Sequence, residues 1–336
     1  MHVGKSYSVI ETILWTRRRG YALVILSLLP VAAYQLLGLH WIAMPWQVAA
    51  LLGTATAFIV GFKNAQIYNR TEEAQRVWSS IGSLSRHWAI SSRDLPRERQ
   101  DFERLVRRHL AWLTVLRYQA RNARPWETTD LAPNEEFRRR HHLVVAEHEV
   151  PLAAELGRLL TVEELAILGS TRAKTTWLLG EQSRTLRSLY ESQGLAVLHH
   201  TEMQRTLAAL LDHQARVERL KNFPYPRQYA VINKIFVWTF AVVLPFCLVA
   251  EFDRLNAIAT GMLAGQMAWM TLPFGVMLAW LYLALDQVGE SSENPFEGGA
   301  NDVPISHVSL IIEADLRMLL GERDHVLPKT DGAIVL

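Results

Sequence analysis

Four nearly charge-free apolar segments, two near each end of the chain, bracket a middle crowded with arginine, glutamate and histidine. A helix rising about 1.5 Å per residue needs roughly 20 mostly apolar residues to cross the hydrocarbon of a bilayer. Tyr21–Leu39 and Ile42–Phe62 meet that requirement without a charge, and the connector Gly38–Pro45 is short enough for an antiparallel helical hairpin. Tyr229–Ala250 carries only Lys234, close enough to its start to reach the headgroups, and Pro245, which is expected to kink it. The fourth segment is charge-free from Leu255 to Leu285, with Asn256 and Gln266 as polar members and Pro273 expected to bend the helix. The mean hydropathy of +0.06 averages over this segregation and hides it. The chain reads as an all-α integral membrane protein with four transmembrane helices and a large helical cytosolic region.

Across 336 residues, 35 basic side chains against 33 acidic ones leave a net charge of +2, which argues against a dedicated nucleic-acid binder. The single cysteine, Cys247, excludes an intramolecular disulfide framework, a CxxC redox pair and a multi-cysteine zinc site. Basic residues set the orientation. Lys5, Arg17, Arg18 and Arg19 precede the first span and the middle is arginine-rich, whereas Arg254 is the one basic residue of the two short connectors. The positive-inside rule then puts both termini and the middle in the cytosol, in a multi-pass protein of the inner membrane. Val31-Ala32-Ala33 mimics a signal-peptide cleavage site, but a second apolar run follows at once and favours a span.

Residues 1–20 read as a cytosolic segment, 21–64 as the first hairpin, 65–228 as the cytosolic body, 229–286 as the second pair of spans, and 287–336 as a cytosolic loop, helix and tail. No proline or glycine-rich break separates the second span from Asn64–Ile90, so one long rod is expected to fuse the membrane and cytosolic parts. In the body, Phe102, Leu105, Val106, His109, Leu110, Leu113 and Leu116 recur at helical spacing and mark a buried face. Thr161-Val162-Glu163-Glu164 reads as a capping box, and Leu207, Leu210, Leu211 and Val217 line a later helix. Pro125, Pro133 and Pro151 punctuate the segment.

Within the second span two adjacent stripes repeat every four residues: Thr54, Phe58 and Phe62, and beside them Gly53, Ala57 and Gly61. Small side chains let helices approach closely in lipid, so the second stripe predicts a helical neighbour. If several copies surround an axis with the small stripe packed sideways, the first stripe faces that axis as stacked rings. Apolar rings in a narrow wet passage gate by dewetting. Ordinary lipid or core packing is the competing reading of the same spacing.

The run Gly61-Phe62-Lys63-Asn64, Tyr68, Arg70, Glu73-Ala74 and Trp78, followed after the last span by Glu293-Asn294-Pro295-Phe296 and Asn301-Asp302-Val303-Pro304, resembles the bacterial branch of the bestrophin family. The resemblance spans about Arg17 to Gly321. It implies a homopentameric ion channel with the second helix on the central axis and the cytosolic helices around a vestibule. It also implies a neck of three side chains four residues apart, which fall on Thr54, Phe58 and Phe62. Thr54 departs from the usual apolar choice, which predicts a smaller, wetter outer ring and a neck dominated by the two phenylalanines. A second, cytosolic constriction of the family falls near Leu198–Thr201. Chloride is the permeant ion by family default, and a cation-selective channel of the same architecture remains open.

Animal members hold calcium in an acidic loop after Asn-Pro-Phe. Here that run reads Glu297-Gly298-Gly299-Ala300-Asn301-Asp302, and Asp302 with Asn294 offers too few oxygens for an ion that takes six to eight. No calcium activation is expected, with Pro295 and Phe296 docking the loop and Asp302 capping the following helix. His141-His142 with Glu147 and His148, and the pair His199-His200, match no metal-ligand spacing and are expected on solvated faces, so no metal is assigned. Lys63, Arg70 and Arg76 are expected to be solvated or paired with Glu72 and Glu73. Arg17 to Arg19 are expected at lipid headgroups. No GxSxG, Walker A or GxGxxG run is present, so no catalytic residue and no cofactor is expected. The expected partners are permeant inorganic ions, the lipid bilayer and further copies of the chain. A non-conducting, membrane-anchored helical scaffold or sensor is the alternative from a different class.

Overall fold

The computed structural model describes residues 1–4, 7–260, 264–322 and 334–336. Twelve α-helices are formed among them: α1 (Val9–Leu36), α2 (Trp46–Asp94), α3 (Arg99–Arg121), α4 (Ala132–Arg140), α5 (Ala146–Glu149), α6 (Leu152–Leu156), α7 (Val162–Ser170), α8 (Lys174–Glu191), α9 (Val197–Asn222), α10 (Arg227–Arg254), α11 (Thr271–Ser292) and α12 (Ile305–Leu320). Four of them, α1, α2, α10 and α11, are long and apolar enough to cross a membrane.

α1 starts well before its apolar run, because Ser8 and Glu11 form a capping box at its N-terminus. It ends at Gly38, whose φ of +68° lets the chain turn into a single 3-10 turn, His40–Ile42. α2 then runs 49 residues without interruption, roughly 74 Å at 1.5 Å per residue, and so spans both halves of the molecule. The continuous rod expected from the sequence is present. α10 tolerates Pro245 inside its 28 residues.

The fourth apolar segment is not one helix. Leu255–Ala257 and Met267–Met270 are 3-10 turns, and Asn256 accepts from the Met267 amide at 3.0 Å, closing a polar loop where a bent helix was expected. Gly261, Met262 and Leu263 of that segment lie outside the described residues, as do Lys5 and residues 323–333. α11 begins at Thr271, so Pro273 occupies its first turn, where a missing amide donor costs nothing, and does not bend it.

Two apolar cores result. In the membrane half, α10 packs between α2 and α11, with Leu23, Val60, Val237, Leu244 and Leu283 fully buried. In the other half, α3 is wrapped by α2, α8 and α12, and its face from Phe102 to Leu116 is buried as the periodicity requires. His109 lies in that face between Trp88 and Trp112, at ring distances of 6.3 and 5.2 Å, and burial pushes its pKa down to about 3, so it is a neutral core residue. The capping box at Thr161 is formed, with Glu164 N–H donating to the Thr161 hydroxyl at 3.3 Å. On α9, Leu207, Leu210 and Val217 are buried, while Leu211 is 43% exposed and belongs to the outer face.

Candidate functional site

α2 presents one flank that nothing among the described residues covers. Phe58 and Phe62 are 65% and 70% exposed, and their rings stack one turn apart at 6.5 Å with planes 26° from parallel. Thr54 is exposed one turn further along, and its hydroxyl donates to the Ala50 carbonyl at 2.8 Å. That bond spends the donor on the helix itself, so Thr54 presents mainly its methyl group and a small cross-section.

The small-residue stripe is divided between two tasks. Gly53 sits under the Phe240 ring of α10, where a Cβ would come within 3.0 Å of the ring edge, so its close approach is to a helix of the same chain. Ala57 and Gly61 stay exposed, and a Cβ at Gly61 would meet nothing within 4 Å. Between them, Thr54, Phe240, Leu244 and Tyr282 bound an open apolar groove of about 830 Å³ along α2. The groove and the exposed phenyl groups form one continuous apolar flank of α2.

Buried charges fix which way that flank points. Lys63 follows Phe62 directly, but its side chain turns inward and its Nζ lies 2.9 Å from the Asp286 carboxylate of α11. Asp286 also accepts from Asn233 Nδ2 of α10 at 2.6 Å and pairs with Arg19 of α1 at 3.3 Å, while Arg19 reaches Glu290 at 2.6 Å. All four membrane helices therefore meet at one carboxylate. Lys63 is 5% exposed, so the solvated placement expected for it is wrong. A pairing partner 223 residues away is invisible to local spacing. Arg19 is likewise inside the protein, and Arg17 pairs with Glu136 at 2.5 Å. Beside Lys63, Asn64 donates to the Leu285 carbonyl at 3.3 Å, and its approach depends on Gly289, where a Cβ would fall 2.2 Å from the Asn64 oxygen.

The remaining motif positions split between this helix and the loop after α11. Tyr68 is exposed, Arg70 donates to the Leu220 carbonyl at 3.0 Å and Glu73 pairs with Arg219 of α9. Arg76 pairs with Glu72 at 2.5 Å on the surface, as its spacing suggested. Trp78 stands edge-on to Phe296 at 6.4 Å, so the two halves of the motif set touch in the core.

That loop is wound around Arg121 of α3, which no local pattern singles out. Arg121 is buried, donates to the Phe296 carbonyl at 3.2 Å and the Ser306 hydroxyl at 3.3 Å, and faces Asp302 at 3.7 Å. Pro295 contributes its carbonyl to the Val303 amide at 3.1 Å, and Asn301 accepts from the Tyr7 hydroxyl at 2.9 Å. Asp302 does not cap α12, whose N-cap is Pro304. It accepts from the Gly298 amide at 2.6 Å, held there because Gly298 has a φ of +89°. Asn294 donates to Glu297 at 3.2 Å, and Glu297 takes two further bonds from the Thr128 amide and hydroxyl at 2.8 and 2.7 Å. Burial and the nearby Asp302 carboxylate push the Glu297 pKa up to about 8, and burial pushes Asp302 up to about 6 against the opposing pull of Arg121 and the Gly299 and Gly298 amides, so Glu297 holds its proton the more tightly of the two.

Among the described residues no group of three or more His, Cys, Asp or Glu side chains is placed to hold a metal ion. Glu147 is not on a solvated face. It is buried 3.2 Å from Arg117 and 3.9 Å from Arg121, His148 contacts the Arg121 carbonyl at 3.3 Å and His141 stacks on Phe137 at 4.2 Å. Of the second pair, His200 stacks on Tyr190 at 5.2 Å. Leu198 in the first turn of α9 is 74% exposed.

A family model described as bacterial/fungal bestrophin protein matches residues 6–318. Among curated proteins, the chain is 24% identical to a voltage-dependent anion channel-forming protein of Salmonella typhi, over 94% of this chain and 90% of that one. It is 25% identical to a protein of the same description from Ralstonia nicotianae, over 90% and 87%. Among solved structures, a bacterial bestrophin homolog from Klebsiella pneumoniae superposes with a TM-score of 0.74 at 24% identity, covering 91% of this chain and 99% of the other.

Proposed function

The chain belongs to the bacterial and fungal bestrophin family, and from that premise we propose that it forms a homopentameric, passive anion channel of the inner membrane. Five α2 helices surround the axis, with Thr54, Phe58 and Phe62 as stacked rings of the neck and Ala57 and Gly61 against the neighbouring subunit. Both termini and the body formed by residues 65–228 lie on the cytosolic side, where the exposed start of α9 near Leu198 borders a second narrowing. Residues 21–64 and 229–286 supply the spans, and residues 287–336 close the membrane-proximal loop. The protein acts by permeation, not by catalysis. The relatives named as anion channel-forming proteins support an anion as the cargo, with chloride as the default.

The observation that carries this reading is the stacked, exposed Phe58–Phe62 pair on a helix whose opposite side is pinned by buried charges. Membrane proteins do not need the hydrophobic effect to hide phenyl groups from lipid, so exposure alone decides nothing. The phasing supports the pore reading: Lys63 points into the chain, and the phenyl flank is held outward beside the open apolar groove along α2. In an apolar neck the barrier is steric and dewetting, and ions leave because no site holds them tightly.

Single-channel recording in a planar bilayer under a salt gradient tests both parts. A reversal potential displaced toward the chloride equilibrium value supports an anion channel, displacement toward the cation value replaces it with a cation channel, and silence with a monomeric protein supports the scaffold reading. Replacing Phe58 and Phe62 together by Ala is expected to raise conductance several-fold, and unchanged conductance removes them from the neck.

A further inference from the structure

Two arginine runs distant in sequence meet at one corner of the molecule, where α4 is fastened to the start of α1 by the pairing of Arg17 with Glu136. Trp15 Nε1 donates to Asn134 at 3.2 Å, and Glu136 takes one arginine from each helix, Arg17 at 2.5 Å and Arg140 at 3.3 Å. Those contacts set Arg140 beside Arg17 and Arg18, leave Arg139 exposed on the same helix, and turn Arg138 instead into the cleft lined by Tyr7 and Asn301. Five arginines at the corner outnumber the carboxylates of Glu11, Glu135 and Glu136. Among the described residues Arg18, Arg138 and Arg139 make no ion pair, and the Arg138 Nε is enclosed without a hydrogen-bond acceptor.

The same corner is apolar one turn away. Val9, Ile10, Ile13 and Leu14 of α1 are 72%, 70%, 50% and 39% exposed, although they precede the charge-free run that begins after Arg19. A helix stretch with exposed aliphatic side chains beside surplus arginines, continuous with a membrane-crossing segment, fits the boundary between headgroups and acyl chains.

We propose that this corner is a binding site for anionic phospholipid, with Val9, Ile10, Ile13 and Leu14 against the acyl boundary and the exposed Arg18 and Arg139 on the phosphates. Guanidinium groups bind phosphate oxygens through paired, charge-assisted hydrogen bonds, which an uncharged surface does not offer. Lipid is the favoured occupant because this stretch is continuous with the membrane-crossing part of α1 and carries exposed arginines without a carboxylate partner among the described residues. The inference goes beyond the channel reading and depends on α1 crossing a bilayer, not on conduction, so it is tested without measuring flux.

Full-length protein in neutral detergent, offered equal amounts of phosphatidylglycerol and phosphatidylcholine of matched chains, reports retained lipid by native mass spectrometry. The wild type is expected to keep phosphatidylglycerol in preference. Replacing Arg138, Arg139 and Arg140 by Gln is expected to cut that preference at least about fivefold, the step set by loss of the exposed, unpaired Arg139 guanidinium. Should the triple variant fold poorly, Arg139→Gln alone removes one exposed charge that holds nothing else together, and it is expected to show the single step. Equal retention of the two lipids by the wild type, or an unchanged preference in Arg139→Gln, overturns the proposal. So does disulfide capture of an Ile13→Cys variant between two copies in liposomes, which would show protein on this corner in place of lipid.

Discussion

At the scale of single residues, the protein places its ionisable groups where each has a defined charge state. Glu297 is the clearest case. Its pKa is about 8 in the folded chain against an ordinary 4.5, so between those values the folded state holds a proton that the unfolded state has released. Stability from this group is therefore complete below the unfolded value and is lost as pH rises through the folded one. Thermal unfolding followed by tryptophan fluorescence should show a melting temperature that falls between about pH 4.5 and about pH 8. Glu297→Gln keeps the Thr128 and Asn294 contacts while removing the titration, and it should flatten most of that slope; an unaltered slope would place the proton elsewhere. The sequence showed that this loop lacks the acidic run of a calcium site. It did not show that Glu297 and Asp302 are both buried, because their neighbours Thr128 and Arg121 come from other parts of the chain.

At the scale of elements, the legible features were those written in local periodicity. The α2 rod, the buried face of α3 and the capping box of α7 follow from spacing that any local window contains. The polar loop between α10 and α11 was not legible, because a charge-free run satisfies helix and 3-10 turns alike and the decisive bond from Met267 to Asn256 is not local. The clamp at Asp286 was hidden for the same reason. Its partners Arg19, Lys63 and Asn233 come from three different helices, and each reads locally as an interfacial polar residue. Asp286→Leu strands the buried Lys63 ammonium, for which a loss of about 3–5 kcal/mol is expected. Lys63→Met alone should cost less, since Asp286 keeps Arg19 and Asn233. The pair changed together should cost less than the sum of the two, which a double-mutant cycle on thermal stability in detergent measures. Additive losses would mean that the ammonium and carboxylate are not coupled and that α2 takes its rotational phase from packing alone.

At the scale of the whole molecule, the question is which exposed surfaces are lipid-facing and which await another copy. A closed ring uses one patch on each side of every subunit, and the two patches differ in shape. The α2 flank has the shape of one such patch: a groove of about 830 Å³ beside protruding Phe58 and Phe62. Gly61 offers a way to disturb that patch with little effect on the chain, because a Cβ there meets nothing of its own protomer within 4 Å and opens onto the groove. Gly61→Leu is therefore expected to leave the melting behaviour of the single chain intact while native mass spectrometry shows the five-chain species reduced or absent and ion flux falling with it. Gly53→Leu is the contrasting control. Its Cβ meets Phe240 in the same chain, so it should destabilise the protomer itself by about 1–3 kcal/mol. If Gly61→Leu assembles and conducts as the wild type does, the flank faces lipid, and the neck must be sought on a different surface of the same rod.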